Sequence, residues 1–263
     1  MAAMLMRWAT AMPTDGDLAR LRLLQLVSPA LPIGGYTYSQ GIEWAVEAGW
    51  VRNARDLEGW LDEQLQQSVL YVELPLLLRM MDAVGRRDPG ALGRWIDCSL
   101  AWRETAELRA EEAQRGRALA DLLVALGVVH RPDAAKPGRD AMADWSVAPP
   151  AQPMALTGEW YPFLYRSQIA GVAVAAVSWG IRPKDACLGL AWGWCETLVS
   201  AGVKLVPLGQ TDGQRVLLRL AERIPLVVSA ARGLDDDALG ASSQALAIAS
   251  SAHETQYTRL FRS

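Results

Sequence analysis

The chain is poor in the residues that usually carry chemistry. Its 263 residues include three cysteines, two histidines and two phenylalanines. Cys98, Cys187 and Cys195 are odd in number and form no C-x-x-C, which argues against a disulfide framework and for reduced thiols in a cytosolic protein. His130 and His253 stand far apart in sequence, so no cluster of Cys and His has the short spacing of a zinc site. They are also the only bases open to a Ser-His-Asp arrangement, and no nucleophile elbow accompanies them. There is no G-x-x-x-x-G-K-[ST], and no G-x-G-x-x-G follows a strand. The chain therefore has no recognisable phosphate cradle of its own.

Charge of one sign is missing too. With 26 basic and 29 acidic residues the net charge is −3, so bulk electrostatics give no drive toward nucleic acid or an anionic membrane. Long hydrophobic runs are equally scarce. The uncharged apolar stretch Ser167 to Ile181 has fifteen residues, too few to span a bilayer. The N-terminal MAAMLMRWATAMPTDGD is interrupted by Arg7 and does not read as a signal peptide. These absences predict a cytoplasmic protein with no membrane or nucleic-acid partner and no cofactor.

What is present is helical periodicity. Leu18, Leu21, Leu24 and then Val27 form a first stripe. After Asn53, a suitable N-cap, Leu57, Trp60, Leu61, Leu65 and Val69 recur at steps of three and four. Pro75 predicts a junction between helices, and further helices run from 88 to about Gly127. Five prolines then fall between Pro132 and Pro153 with almost no periodic pattern, predicting a long surface loop around 130–156. Beyond it, Tyr161 to Gly180 reads as one helix whose Gly171, Ala173, Ala175 and Ala176 invite close approach of a neighbour. A second helix follows Pro183, a third starts near Gln210 and is disturbed at Pro225, and a last one starts after Asp235, Asp236 and Asp237. The expected fold is an all-α, single-domain multi-helix bundle over 18–252. A flexible segment, 1–17, precedes it and a partner-binding tail, 253–263, follows it.

Four stretches stand out. SPALPIGGYTYSQGIEWAVEAGW, residues 28–50, is a stiff Pro- and Gly-containing loop carrying Tyr36 and Tyr38. Thr37 with Gln40, or Ser39 alone, suits a helix start there, which places Glu43 in an early turn. The two tyrosines are as consistent with core packing as with display. ETAELRAEEAQRGR, residues 104–117, clusters carboxylates and reads first as a solvated helix face, with acid–base chemistry through Glu104, Glu107 and Glu111 as the alternative. VKLVPLGQTDGQR, residues 203–215, gathers Lys204, Gln210, Gln214 and Arg215 around a helix end and the next helix start, where ordinary capping is the simpler reading. The tail HETQYTRLFRS, set on a helix, puts His253, Gln256, Tyr257, Leu260 and Phe261 on one face. So short a helix is marginal in water, so that face needs a surface, its own core or another protein's.

Together SPALPIGGYTYSQGIEWAVEAGW, ELRAEEAQRG, VKLVPLGQTDGQR and HETQYTRLFRS resemble the urease accessory protein UreF family, in the family's order and over residues 21–263. The resemblance implies an all-α, non-enzymatic protein that joins a second accessory protein, UreD (also called UreH), and the GTPase UreG. In that family the complex delivers nickel to apo-urease, and UreF is thought to dimerise, bridge its partners and regulate UreG. It implies that the tail from His253 through Arg262, Arg259 included, orders against UreD. It also implies that Tyr36, Tyr38, Ser39, Gln40 and Glu43, and likewise Lys204, Gln210, Gln214 and Arg215, face UreD or UreG. A nickel-holding metallochaperone using His253 and a cysteine is a further alternative.

Overall fold

A computed structural model describes residues 15–131 and 156–263. Of the expected flexible segment, residues 1–14 lie outside that description, and helix α1 already begins at Asp15 (Asp15–Leu26). Residues 132–155 of the expected loop also lie outside it. Among the described residues the elements are helical, with one isolated parallel bridge between Val129 and Leu156. The fold is all-α, as the periodicity predicts.

Helix α1 corrects the first stripe. Leu21 and Leu24 are exposed, while Leu26 is buried and Ala19 and Leu23 pack on the core. The pattern 18/21/24 is one residue out of phase with the face that docks. Helix α2 (Ile42–Glu47) is short. Helix α3 (Ala54–Gln64) starts at Asn53, whose side chain accepts from the Arg55 and Asp56 amides, as an N-cap should. Leu57, Trp60, Leu61, Leu65 and Val69 are all buried, as their spacing requires.

Pro75 does mark a junction between helices, but an unbroken one. The chain continues from α3 through a π-helical stretch, Leu65–Glu73, directly into α4 (Leu74–Gly85). The Leu74 amide still bonds back five residues to Val69. The wide turns therefore end one residue before proline, and its missing donor falls at the join between two kinds of helix.

Helices α5 (Pro89–Ala101) and α6 (Ala106–Ala125) follow, capped by Asp88 and Thr105. The predicted single helix 161–180 is two: α7 (Tyr161–Leu164) and α8 (Gln168–Ser178). The break has a cause. Ser167 is extended and its hydroxyl caps the Ala170 amide, so the chain restarts rather than continuing. The small residues of α8 are central as expected. It packs against α4 and α6, and a Cβ on Gly171 would sit 2.7 Å from a Leu119 methyl.

Helix α9 (Pro183–Leu205) is long and apolar enough to cross a bilayer, but half of it is buried inside the protein. Gly189 is pressed onto Leu23 and Gly202 onto Leu57, which is the packing of a core helix. Its neighbour α10 (Gln210–Ala231) runs unbroken through Pro225. The last helix, α11 (Gln244–His253), begins later than the three aspartates predict. Asp236–Ala238 form only a 3-10 turn, and Ser243 supplies the cap.

The thiols are structural. Cys187 and Cys195 are buried, and burial pushes both up to about 12. At a pH near the ordinary thiol value of about 8.5, iodoacetamide is expected to modify half-buried Cys98 and to leave the other two intact until the protein unfolds. Intact-mass analysis reads the result, and modification of all three in the native protein would contradict it.

Candidate functional site

The tail is where the sequence reading changes most. Helix α11 stops at His253, and residues 254–263 form turns rather than a helix. The physical reason lies in its amides. Leu260 and Phe261 donate to the Glu43 carboxylate at 2.6 and 2.8 Å, and Arg262 donates to the Thr37 carbonyl at 2.8 Å. A buried ionised acceptor outcompetes the weak ladder of so short a helix. The expected one-sided stripe is accordingly divided. His253 and Phe261 are buried, whereas Tyr257 is fully exposed and Leu260 largely so.

The clasp that holds the tail comes from α6. Glu107, Glu111 and Gln114 recur at steps of four and three, on one face of that helix. Glu107 takes His253 Nδ1 at 2.7 Å and Arg259 at 2.8 Å. Glu111 takes the Ser263 hydroxyl at 3.0 Å, Gln40 at 2.9 Å and Arg115 at 2.8 Å. Gln114 accepts from the Tyr38 hydroxyl at 2.7 Å and from Arg262 at 3.3 Å. The second ring nitrogen of His253 lies 3.3 Å from Glu43. This overturns the solvated-face reading of 104–117, since Glu111 and Glu112 are only 3% and 5% exposed. Charges so buried require partners; the tail provides Ser263 for Glu111, and Glu112 takes Arg103, Ser167 and Ile169.

The loop before α2 completes the clasp. Gln40 and Gly41 both have left-handed backbone, with φ 48° and 79°. Gly41 lies against α11, where a Cβ would come within 3.1 Å of both Ala249 and Ser250. That close approach seats Ser39 to donate its amide and hydroxyl to the Ser263 carbonyl. Glu43 falls in the first turn of α2, as expected, and its amide contacts the Ser39 hydroxyl at 3.4 Å. Thr37 does not cap; its hydroxyl donates to Gly34. The two tyrosines part company: Tyr38 is buried and Tyr36 is 40% exposed. Burial and the nearby Glu196 carboxylate push the Tyr36 phenol up.

Of the 203–215 stretch, Lys204 joins this site. Its ammonium lies 5.7 Å from the Tyr36 ring and 5.8 Å from the Phe261 ring, close enough for a cation–π attraction. Gln210, Gln214 and Arg215 stand exposed at the start of α10, where Arg215 pairs with Asp212 at 2.9 Å. Gln256 bonds locally to the Thr258 carbonyl.

Behind the clasp lies a cavity of about 90 Å³, lined among others by Leu23, Gln40, Glu111, Arg115 and Trp194. Its floor adjoins a second buried ionic group. Arg103 forks onto Glu73 and also reaches Glu112 at 3.1 Å, while Glu112 receives the Ser167 hydroxyl at 2.7 Å and the Ile169 amide at 3.2 Å. Burial pushes the Glu73 carboxyl up against the opposing pull of Arg103. This network ties the π-helical stretch to α6 and α8.

The catalytic alternative loses its geometry here. Glu104 turns aside to the Ser242 hydroxyl at 2.6 Å, while Glu107 and Glu111 are occupied by the chain's own tail. Among the described residues no group of three or more His, Cys, Asp or Glu is placed to hold a metal. Sequence reasoning missed Gln114 and Trp194 altogether and misread Glu107 and Glu111. The signal that was available is the 107/111/114 spacing, which puts three polar side chains on one face of a helix.

A family profile described as UreF matches residues 51–221. The urease accessory protein UreF of Alcanivorax borkumensis is 48% identical over 245 residues, covering 93% of this chain and 98% of that protein. That of Pseudomonas putida strain W619 is 48% identical over 249 residues, covering 95% and 100%. That of Escherichia coli O157:H7 is 43% identical over 252 residues, covering 96% and 100%.

Proposed function

The chain belongs to the UreF family of urease accessory proteins, and from that membership we propose that it works in urease maturation as a scaffold rather than as a catalyst. In this reading it is a cytoplasmic homodimer that bridges UreD (UreH) and the GTPase UreG. It regulates UreG's GTP hydrolysis while nickel is inserted into apo-urease.

One observation supports the scaffold reading above the others. The tail is anchored by buried carboxylates at its root and its end, yet it projects Tyr257 and Leu260 into solvent between them. Large apolar side chains held outward on a fixed backbone suit a partner surface, because little ordering cost remains on binding. The UreD-facing element is then the apex of the tail, around Tyr257 and Leu260, with Arg259 beside it. The face carrying Tyr36, Lys204 and the exposed Gln210, Gln214 and Arg215 is left for UreG. The exposed Leu21 and Leu24 of α1 add apolar area for a second copy.

Replacing Tyr257 and Leu260 together by aspartate is the direct test. Both side chains are exposed, so the melting temperature is expected to stay within about 2 °C of the parent, as for surface changes generally. Copurification with UreD is expected to be lost. Unchanged capture of UreD by this variant would remove the tail apex from the docking surface.

A further inference from the structure

Trp194 has no place in the tail clasp as described. It sits half-buried on α9, lining the same cavity as Gln40 and Glu111. Its indole N–H donates to Gln40 Oε1 at 2.9 Å. Gln40 Nε2 in turn donates to Glu111 Oε1 at 2.9 Å. Glu111 Oε2 receives the Ser263 hydroxyl at 3.0 Å. A hydrogen-bonded series therefore runs from helix α9 to the end of the tail.

The donor and acceptor chemistry fixes the direction of every link. An indole N–H can only donate, and an ionised carboxylate can only accept. Gln40 therefore has one permitted amide orientation; the flipped one would set N–H against N–H and oxygen against oxygen. Its backbone cannot easily adjust, because φ is 48° at Gln40 and Gly41 is wedged against Ala249 and Ser250. Gln40 and Arg115 both bond Glu111 Oε1, which sets the carboxylate's rotation and leaves Oε2 aimed at Ser263.

We propose that Trp194 is a positioning residue for the tail, acting through Gln40 and Glu111, so that its indole N–H sets how tightly the tail's end is held. The proposal rests on the reading of the tail as the docking element and adds what holds the tail's end in place. Trp194→Phe keeps an aromatic ring and removes only the donor. Gln40→Met removes the middle of the series at similar length.

The test is amide exchange in the full-length protein. The reporters are the Ser39 and Arg262 amides, which bond to the Ser263 and Thr37 carbonyls, with buried α8 amides as the control. Each single variant is expected to speed exchange at the two reporters about tenfold and to leave α8 unchanged. The double variant is expected to match the singles, because the two changes cut one series. Unchanged reporter exchange in either variant overturns the proposal, and so does an additive, roughly hundredfold effect in the double variant. If Trp194→Phe does not fold, Gln40→Met decides alone by the same readout. Capture of UreD by the same proteins keeps the two readings apart. Faster exchange with capture retained leaves the relay standing and removes the docking role of the tail.

Discussion

Glu43→Ala is expected to detach the tail. The Leu260 and Phe261 amides lose their acceptor, and His253 loses one of its two carboxylates. Removing one partner from a buried charged group costs about 3–5 kcal/mol, far more than an exposed ion pair contributes. The cost falls on a terminal segment, so it is expected to appear as local opening before global unfolding. At about 1.4 kcal/mol per factor of ten, exchange at Leu260 and Phe261 should accelerate by roughly a hundredfold or more. UreD capture should fail with it.

Glu43→Gln is the informative companion. It keeps the shape, but its amide nitrogen would face a backbone N–H where Glu43 offers an acceptor to both Leu260 and Phe261. It is therefore expected to behave like alanine. Hydrogen exchange by mass spectrometry, with the core helices as reference, reads both. Exchange at these two amides that is equally fast in the parent and in both variants would show that the carboxylate does not hold the tail.

Gly116→Ala is expected to be the most damaging single methyl in the molecule's interior. The added Cβ would lie 2.8 Å from the Ser167 nitrogen and carbonyl carbon and 2.9 Å from the Leu164 oxygen. All three are backbone atoms, so no side chain can turn away to make room. Overpacking of this kind costs about 3 kcal/mol, which for a chain of this size lowers the melting temperature by roughly 6–12 °C.

The effect has an internal contrast. Gly59, inside α3, has nothing within 4 Å of its Cβ position. Gly59→Ala is expected to raise stability by about 0.5–1 kcal/mol through reduced freedom of the unfolded chain. Paired thermal melts of the two variants test both signs. A Gly116→Ala protein as stable as the parent would mean that α6 does not sit so close to the junction of α7 and α8.

Much of this was legible beforehand, and the legible part has a common character. The 3.6-residue pattern located most helices because burial of one face repeats along the chain, as at Leu57, Trp60, Leu61 and Leu65. Asn53 announced a helix start because a cap acts within three residues of itself. Gly171 and its alanine neighbours announced a central helix because close approach demands small side chains wherever the partner comes from. The family, too, could be read from motifs along the chain.

Where the reading failed, the deciding partner was distant in sequence. Glu111 looked like a surface carboxylate because its partner Arg115 is near, while Gln40 is 71 positions away and Ser263 is 152 away. The tail looked helical because its spacing allows a helix, yet Glu43, 217 and 218 positions away, claims its amides. The amino-acid sequence by itself determined the all-helical class, most of the core and the absence of recognisable catalytic and phosphate-binding motifs. Each of those follows from local periodicity or from residue types. Only the tertiary structure decided which carboxylates are buried and that Phe261 turns inward while Tyr257 turns out. A buried charge is stable only with partners that folding brings from elsewhere, and no local pattern encodes them.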